Sequence, residues 1–177
     1  MTSHYKPDDK DKKEAIIKRD GNTIIRPKGL DVTWGKDTRY WTVKGEGENE
    51  VRELLQVSWL EVTGSILLED LGLEKGSCYT LSFRVSLKSD AFGWNGCPVY
   101  LMVKDPKEGK YQWKNADLSL LPKDENKTTT IPINKLTFQI PSSYDKKSTL
   151  SFGLFEIWRG RWKGGLRIHE VIISPKK

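Results

Sequence analysis

The chain alternates. Tyr79, Leu81, Phe83, Val85 and Leu87 are interleaved with Thr80, Ser82, Arg84, Ser86 and Lys88, a period of two that predicts a half-buried antiparallel strand with one wet face. Leu136, Phe138 and Ile140 repeat the pattern around Thr137 and Gln139, and shorter strands fit Thr23–Arg26, Leu30–Trp34, Val99–Lys104 and Tyr111–Trp113. Between Glu50 and Leu68, Val51, Leu54 and Leu55 hint at a helical turn, whereas Leu55, Val57 and Trp59 alternate as a strand; a strand from Leu55 onward is the expectation. The last pair of strands closes the chain. Ser151, Phe152, Leu154, Phe155 and Ile157 lead in, and Leu166, Ile168, Val171, Ile172 and Ile173 lead out. Asp90–Gly96, Asp105-Pro106, Pro122–Thr130 and Pro141–Lys147 carry turn residues between these runs, and no segment supports a helix of three turns. Many short strands at regular spacing predict an all-β, jelly-roll-like antiparallel β-sandwich forming a single domain over 21–177.

Residues 1–20 mix charges of both signs with few apolar groups, so a flexible tail is expected, with at most one frayed turn over Lys13–Arg19. The first thirty residues hold no apolar core segment. No secretory signal is therefore expected, and the cytoplasm or nucleus is favoured. No run reaches the length of a membrane span. Two cysteines, Cys78 and Cys97, are too few for a disulfide scaffold and read as buried or free thiols.

The formal net charge is +6, but it is concentrated. From Trp158 onward Arg159, Arg161, Lys163, Arg167, Lys176 and Lys177 face Glu170 alone, a local +5. Such a patch can attract phosphates. Catalytic chemistry finds no support. His4 and His169 cannot supply a zinc site, no phosphate-cradling glycine loop or nucleophile elbow occurs, and nothing pairs Glu61, Glu156 and Glu170 as glycosidase carboxylates. A binding protein without metal or cofactor is the expectation.

Seven tryptophans sharpen that expectation. Trp158-Arg159-Gly160-Arg161-Trp162-Lys163-Gly164-Gly165 is too short for a helix, so a hairpin lifts two tryptophans, two arginines and a lysine off the sheet end. Large aromatics at a loop tip gain little from folding and suggest a ligand. Trp94, within Ala91-Phe-Gly-Trp-Asn-Gly96, is expected to be exposed beside Asn95. Trp59, between Val57 and Leu60, is expected in the core; Trp113 suits core or rim; Trp34 and Trp41 either line a site or close the sandwich. Indole faces flanked by Asn95, Glu156, Arg159, Arg161 and Lys163 suit the C–H faces and hydroxyl rim of a sugar, or nucleic-acid bases.

Four blocks then carry a resemblance. Thr33-Trp-Gly-Lys-Asp-Thr-Arg-Tyr-Trp41, Val57-Ser-Trp-Leu-Glu-Val-Thr-Gly64, Asp90-Ala-Phe-Gly-Trp-Asn-Gly-Cys-Pro98 and Trp162-Lys-Gly-Gly-Leu-Arg-Ile-His-Glu-Val-Ile-Ile-Ser-Pro175 resemble, in order, those of the plant phloem protein 2 family, which includes cucurbit phloem lectins and the tobacco-leaf type. The resemblance implies a non-catalytic lectin for N-acetylglucosamine oligomers and glycoproteins, often a homodimer, in the phloem cytoplasm, with RNA as the alternative ligand. Residue by residue it implies Trp34, Trp41, Glu156, Trp162 and Lys163 as carbohydrate-binding. Trp94 and Asn95 join them from the third block, and Trp158 and Arg161 from the hairpin.

Overall fold

The computed structural model describes residues 3–177. Strands alternate as their residues demand, and their apolar faces close on each other. In chain order the elements are helix α1 (Asp9–Ala15), β1 (Ile16–Arg19), β2 (Asn22–Ile25), β3 (Asp31–Val32), β4 (Trp41–Lys44), β5 (Val51–Leu54), β6 (Leu60–Leu67) and the single turn α2 (Leu68–Leu71). They continue with β7 (Cys78–Phe92), β8 (Val99–Lys104), β9 (Tyr111–Ala116), β10 (Thr129–Gln139), β11 (Thr149–Glu156) and β12 (Gly164–Pro175).

Two antiparallel sheets form a sandwich. One runs β3-β6-β11-β8-β9. The other has seven strands: β12 pairs β7 along one edge, with β10 beyond it, and on its other edge pairs β5 and then β2. Leu81, Phe83, Val85, Leu166, Ile168 and Val171 face Val62, Ile66, Leu101, Val103, Phe152 and Leu154 across the core. Phe83 and Phe152 meet edge to face at 6.2 Å. Cys78 and Cys97 are both free, and no helix among the described residues is long and apolar enough to cross a membrane.

Of the segment 1–20 expected to be a flexible tail, residues 1–2 lie outside the described residues and the rest is folded. Asp8 and Asp11 form a capping box at the start of α1, and Ala15 at its end is fully buried. β1 then pairs with β2. A small residue at the foot of a charged helix is a weak sequence signal, and only the close approach of Gly29 shows why Ala15 must be small. Leu30–Trp34 is shorter than expected as a strand, and Leu55–Trp59 is a loop rather than a strand.

In β12 the buried parity switches from Leu166 and Ile168 to Val171 and Ile173. A strand can switch faces only through an extra residue, and a bulge at His169 supplies it. The outer face of this sheet is polar. Arg84 and Arg19 both hydrogen-bond Oε2 of Glu170, while Glu53 holds Lys88 and Arg167. Burial, with Arg84 and Arg167 nearby, pushes His169 down to about 4, and its Nε2 lies 2.8 Å from Ser86 Oγ. The fold therefore favours neutral imidazole. Its stabilising effect is complete above the unfolded value of about 6.5 and is lost as pH falls toward 4. Burial alone would raise Glu170, but the hydrogen bonds from Arg19 and Arg84 outweigh it and hold the carboxyl below its usual range, so its contribution is lost only below about 4.5. We expect stability to fall by roughly 1–2 kcal/mol between pH 6.5 and 4.5, allowing for solvent screening of a half-buried ring. Thermal melts across that range should show the slope in wild type and lose most of it in His169→Gln.

Candidate functional site

Three chain segments converge at one end of the sandwich. The hairpin between β11 and β12 meets the β5–β6 loop through paired hydrogen bonds of 3.0 Å between Val57 and Lys163. The end of β7 presses in from the other side. Contact is so close that side chains are excluded at two glycines. A Cβ at Gly93 (φ +86°) would lie 2.3 Å from the Trp162 carbonyl oxygen, and one at Gly164 would lie 2.1 Å from that of Leu55. Here glycine is a packing requirement as well as a turn residue.

Trp94 fastens this junction. It is buried, and its indole N–H donates to the Gly164 carbonyl at 2.9 Å, so the exposure expected for it is corrected: it is a peg beneath the hairpin. Asn95 stays at the surface, where its carbonyl accepts from Arg161 Nη1 at 2.7 Å.

Under the hairpin lies a fully buried ion pair. Lys163 and Glu156 have no exposed side-chain surface, with Nζ 3.3 Å from Oε1. The ammonium also donates to the carbonyls of Ser58 and Arg161, each at 2.9 Å. Three donors meet three acceptors, so Lys163 has none left for a ligand. Glu156 Oε2 is buried without a hydrogen bond among the described residues. Burial, with the Glu156 carboxylate, pushes the neighbouring Cys97 thiol up, which leaves it unreactive.

Above this floor opens a shallow cleft of about 110 Å³, lined by Trp34, Tyr40, Val57, Ser58, Trp59 and Trp162. Trp162 is 53% exposed, Trp59 43% and Trp34 39%. The Trp34 and Tyr40 rings meet edge to face at 6.1 Å, and Tyr40 and Trp162 lie 6.3 Å apart at 32°. Trp34 has φ +66°, an uncommon conformation for a bulky residue. His4 Nδ1 accepts its backbone N–H at 2.9 Å. Arg52 anchors the same loop, donating to the Gly35 carbonyl at 3.1 Å. Trp59 Nε1 donates to Glu61 Oε1 at 2.9 Å.

The structure thus brings Trp34 and Trp162 together and adds two rings that were not expected, Tyr40 and Trp59. Placing Trp59 in the core is corrected. The signal was present in the sequence: Leu60, Val62 and Ile66 share one parity, and Trp59 has the other. Trp41, by contrast, is 2% exposed and pairs with Leu54 in the core, so it does not face the cleft. Lys163, Glu156 and Trp94 lie beneath it. Trp158, 57% exposed, stands edge-on to Tyr100 on the outer face of the five-stranded sheet. The basic patch is divided: Lys163 is neutralised by Glu156, and Arg167 by Glu53 and Glu125.

The phloem protein 2 family model matches residues 21–175. The chain is 38% identical to PHLOEM PROTEIN 2-LIKE A9 of Arabidopsis thaliana, over 98% of this chain and 96% of that one. It is 35% identical to a protein of Luffa acutangula named as a lectin, over 87% of this chain and 70% of that one. Among solved structures it is similar to the xylan-binding module CBM15, with 15% identity and a TM-score of 0.45 over 89% of this chain and 99% of that one. On the family match and the identity to the Arabidopsis protein, the chain belongs to the phloem protein 2 family.

Proposed function

We propose that this chain is a non-catalytic lectin whose cleft takes oligomers of N-acetylglucosamine, as found in chitin fragments and N-glycan cores. The observation that carries the reading is the convergence of Trp34, Tyr40, Trp59 and Trp162, drawn from three separated segments, with their faces partly open to solvent. Folding gains little from exposing three indoles in one place, whereas a pyranose gains rigid stacking area from them. Ser58 lines the same cleft, and Glu61 holds the Trp59 indole beside it, to orient hydroxyl or acetamido groups. The similarity to the Luffa lectin points the same way. Glu156, Lys163 and Trp94 serve by holding the hairpin in place, and Trp41 by packing beneath the first loop.

A cleft this shallow buries few ligand atoms, so single-site affinity is modest and a homodimer would add avidity toward polymers. The rival reading, RNA bound on the same rings, needs phosphate contacts. At the hairpin only Arg159 and Arg161 remain for them, since Lys163 is buried in its ion pair and Lys176 and Lys177 lie at the far end of β12, roughly 35 Å along the strand.

Calorimetric titration with chitotriose at low and high salt separates the two. Stacking on a neutral sugar is insensitive to salt, whereas phosphate binding weakens steeply. Trp162→Ala should weaken chitotriose by at least about tenfold, a loss of ~1.4 kcal/mol, with unchanged circular dichroism. Absence of binding in the wild type would overturn the reading.

A further inference from the structure

The two outer faces of the sandwich differ. That of the seven-stranded sheet is occupied by ion pairs of Arg19, Arg84, Glu170, Glu53, Lys88 and Arg167. That of the five-stranded sheet carries rings. Strand register sets Glu61, Phe155, Tyr100 and Asn115 in one row across β6, β11, β8 and β9. Thr63, Gly153, Met102 and Trp113 form the next. We propose that this face is a second sugar-stacking surface continuous with the cleft, so that the ligand is an extended glycan chain rather than a short terminus. The inference rests on the lectin reading above.

Gly153 explains the shape of the surface. A Cβ there would lie 2.6 Å from Phe155 Cε2, so the phenyl ring lies down over the bare backbone and stays partly exposed. Trp113 sits beside it, 5.7 Å away and inclined at 51°. Tyr100 and Trp158 meet at 5.0 Å and 76°. Trp113 and Trp158 are 48% and 57% exposed, area that folding does not use.

Continuity comes from Trp59. It lines the cleft and donates to Glu61, whose cross-strand partner is Phe155. Glu61 therefore stands between the last ring of the cleft and the first ring of the sheet, and links the two surfaces. Beyond Tyr100 and Trp113 the surface opens into a cavity of about 730 Å³ flanked by Leu120 and Ile133, which leaves room for further units.

The occupant follows from the chemistry of the face. The two rows hold one carboxylate and no base, which suits a neutral ligand and opposes a polyanion. The rings are interleaved with Glu61, Thr63 and Asn115 rather than gathered into rows of their own, which favours a ligand rich in hydroxyls over the apolar centre of a self-association interface. They match successive sugar faces of a single twisting chain, with the polar groups between them to meet hydroxyls.

Chitotriose and chitohexaose distinguish the possibilities, titrated against wild type, Trp113→Ala and Trp158→Ala with light scattering on each. Wild type should prefer chitohexaose, and each variant should weaken chitohexaose about tenfold while leaving chitotriose unchanged. Equal chitohexaose affinity in wild type and both variants would overturn the second surface. Conversion of a dimer to a monomer by Trp113→Ala would overturn it too and reassign the face to self-association. Loss of all wild-type binding to chitotriose would instead remove the lectin reading on which the inference stands.

Discussion

Lys163→Ala is expected to lower the stability of the fold by about 3–5 kcal/mol, because it strands the Glu156 carboxylate in a site without solvent access. Both side chains are fully buried, and Lys163 also satisfies the carbonyls of Ser58 and Arg161. Removing it takes away the side-chain tie from the hairpin to Ser58 in the β5–β6 loop as well as the ion pair. That leaves the backbone pair with Val57 to hold the two together. Urea denaturation measures the loss, and sugar binding should fall with it because Trp162 and Trp59 ride on the clamped segments. Lys163→Met with Glu156→Leu should recover much of the stability, since apolar replacement of both partners removes the unpaired charge. A ligand-contacting lysine behaves in the opposite way. If Lys163→Ala kept full stability and lost only binding, the structural assignment of the pair would fail.

Trp41→Ala should cost about 3–5 kcal/mol, whereas Trp34→Ala should cost under about 1 kcal/mol and still abolish chitotriose binding. The two residues belong to one sequence block and lie seven positions apart, yet one is 2% exposed and the other 39%. Trp41→Phe should be tolerated far better than Trp41→Ala. The Trp41 indole N–H is buried without an acceptor among the described residues, so phenylalanine loses volume but no hydrogen bond there. Thermal melts read against calorimetric titration separate the two effects. Equal destabilisation by Trp34→Ala and Trp41→Ala would mean that the first block is structural throughout.

Much of the architecture is legible because strand alternation is a property of neighbours two residues apart. The inward run Tyr79 to Leu87 is one face of β7, and Val99–Lys104 is β8 to the residue. The bulge at His169 was not read from the sequence; it emerges from the register of β12 with β7. The family was legible from four blocks, whose glycines and tryptophans recur in order. The site was legible only in part. Trp162 and Trp34 line the cleft, but Trp59 and Trp94 exchanged places: the tryptophan expected in the core lines the cleft, and the one expected outside is buried.

The physical reason is range. By itself the sequence determined the period of each strand, the turns and the aromatic wealth of the loops, all set by residues close along the chain. Tertiary structure alone decided which tryptophan meets solvent. Trp94 is buried because its indole reaches a carbonyl 70 positions away, and Lys163 is unavailable because Ser58, 105 positions away, completes its shell. No local pattern encodes such distances. They follow from the order in which strands pair, and from glycines at 93 and 164 that let three segments close to within backbone contact.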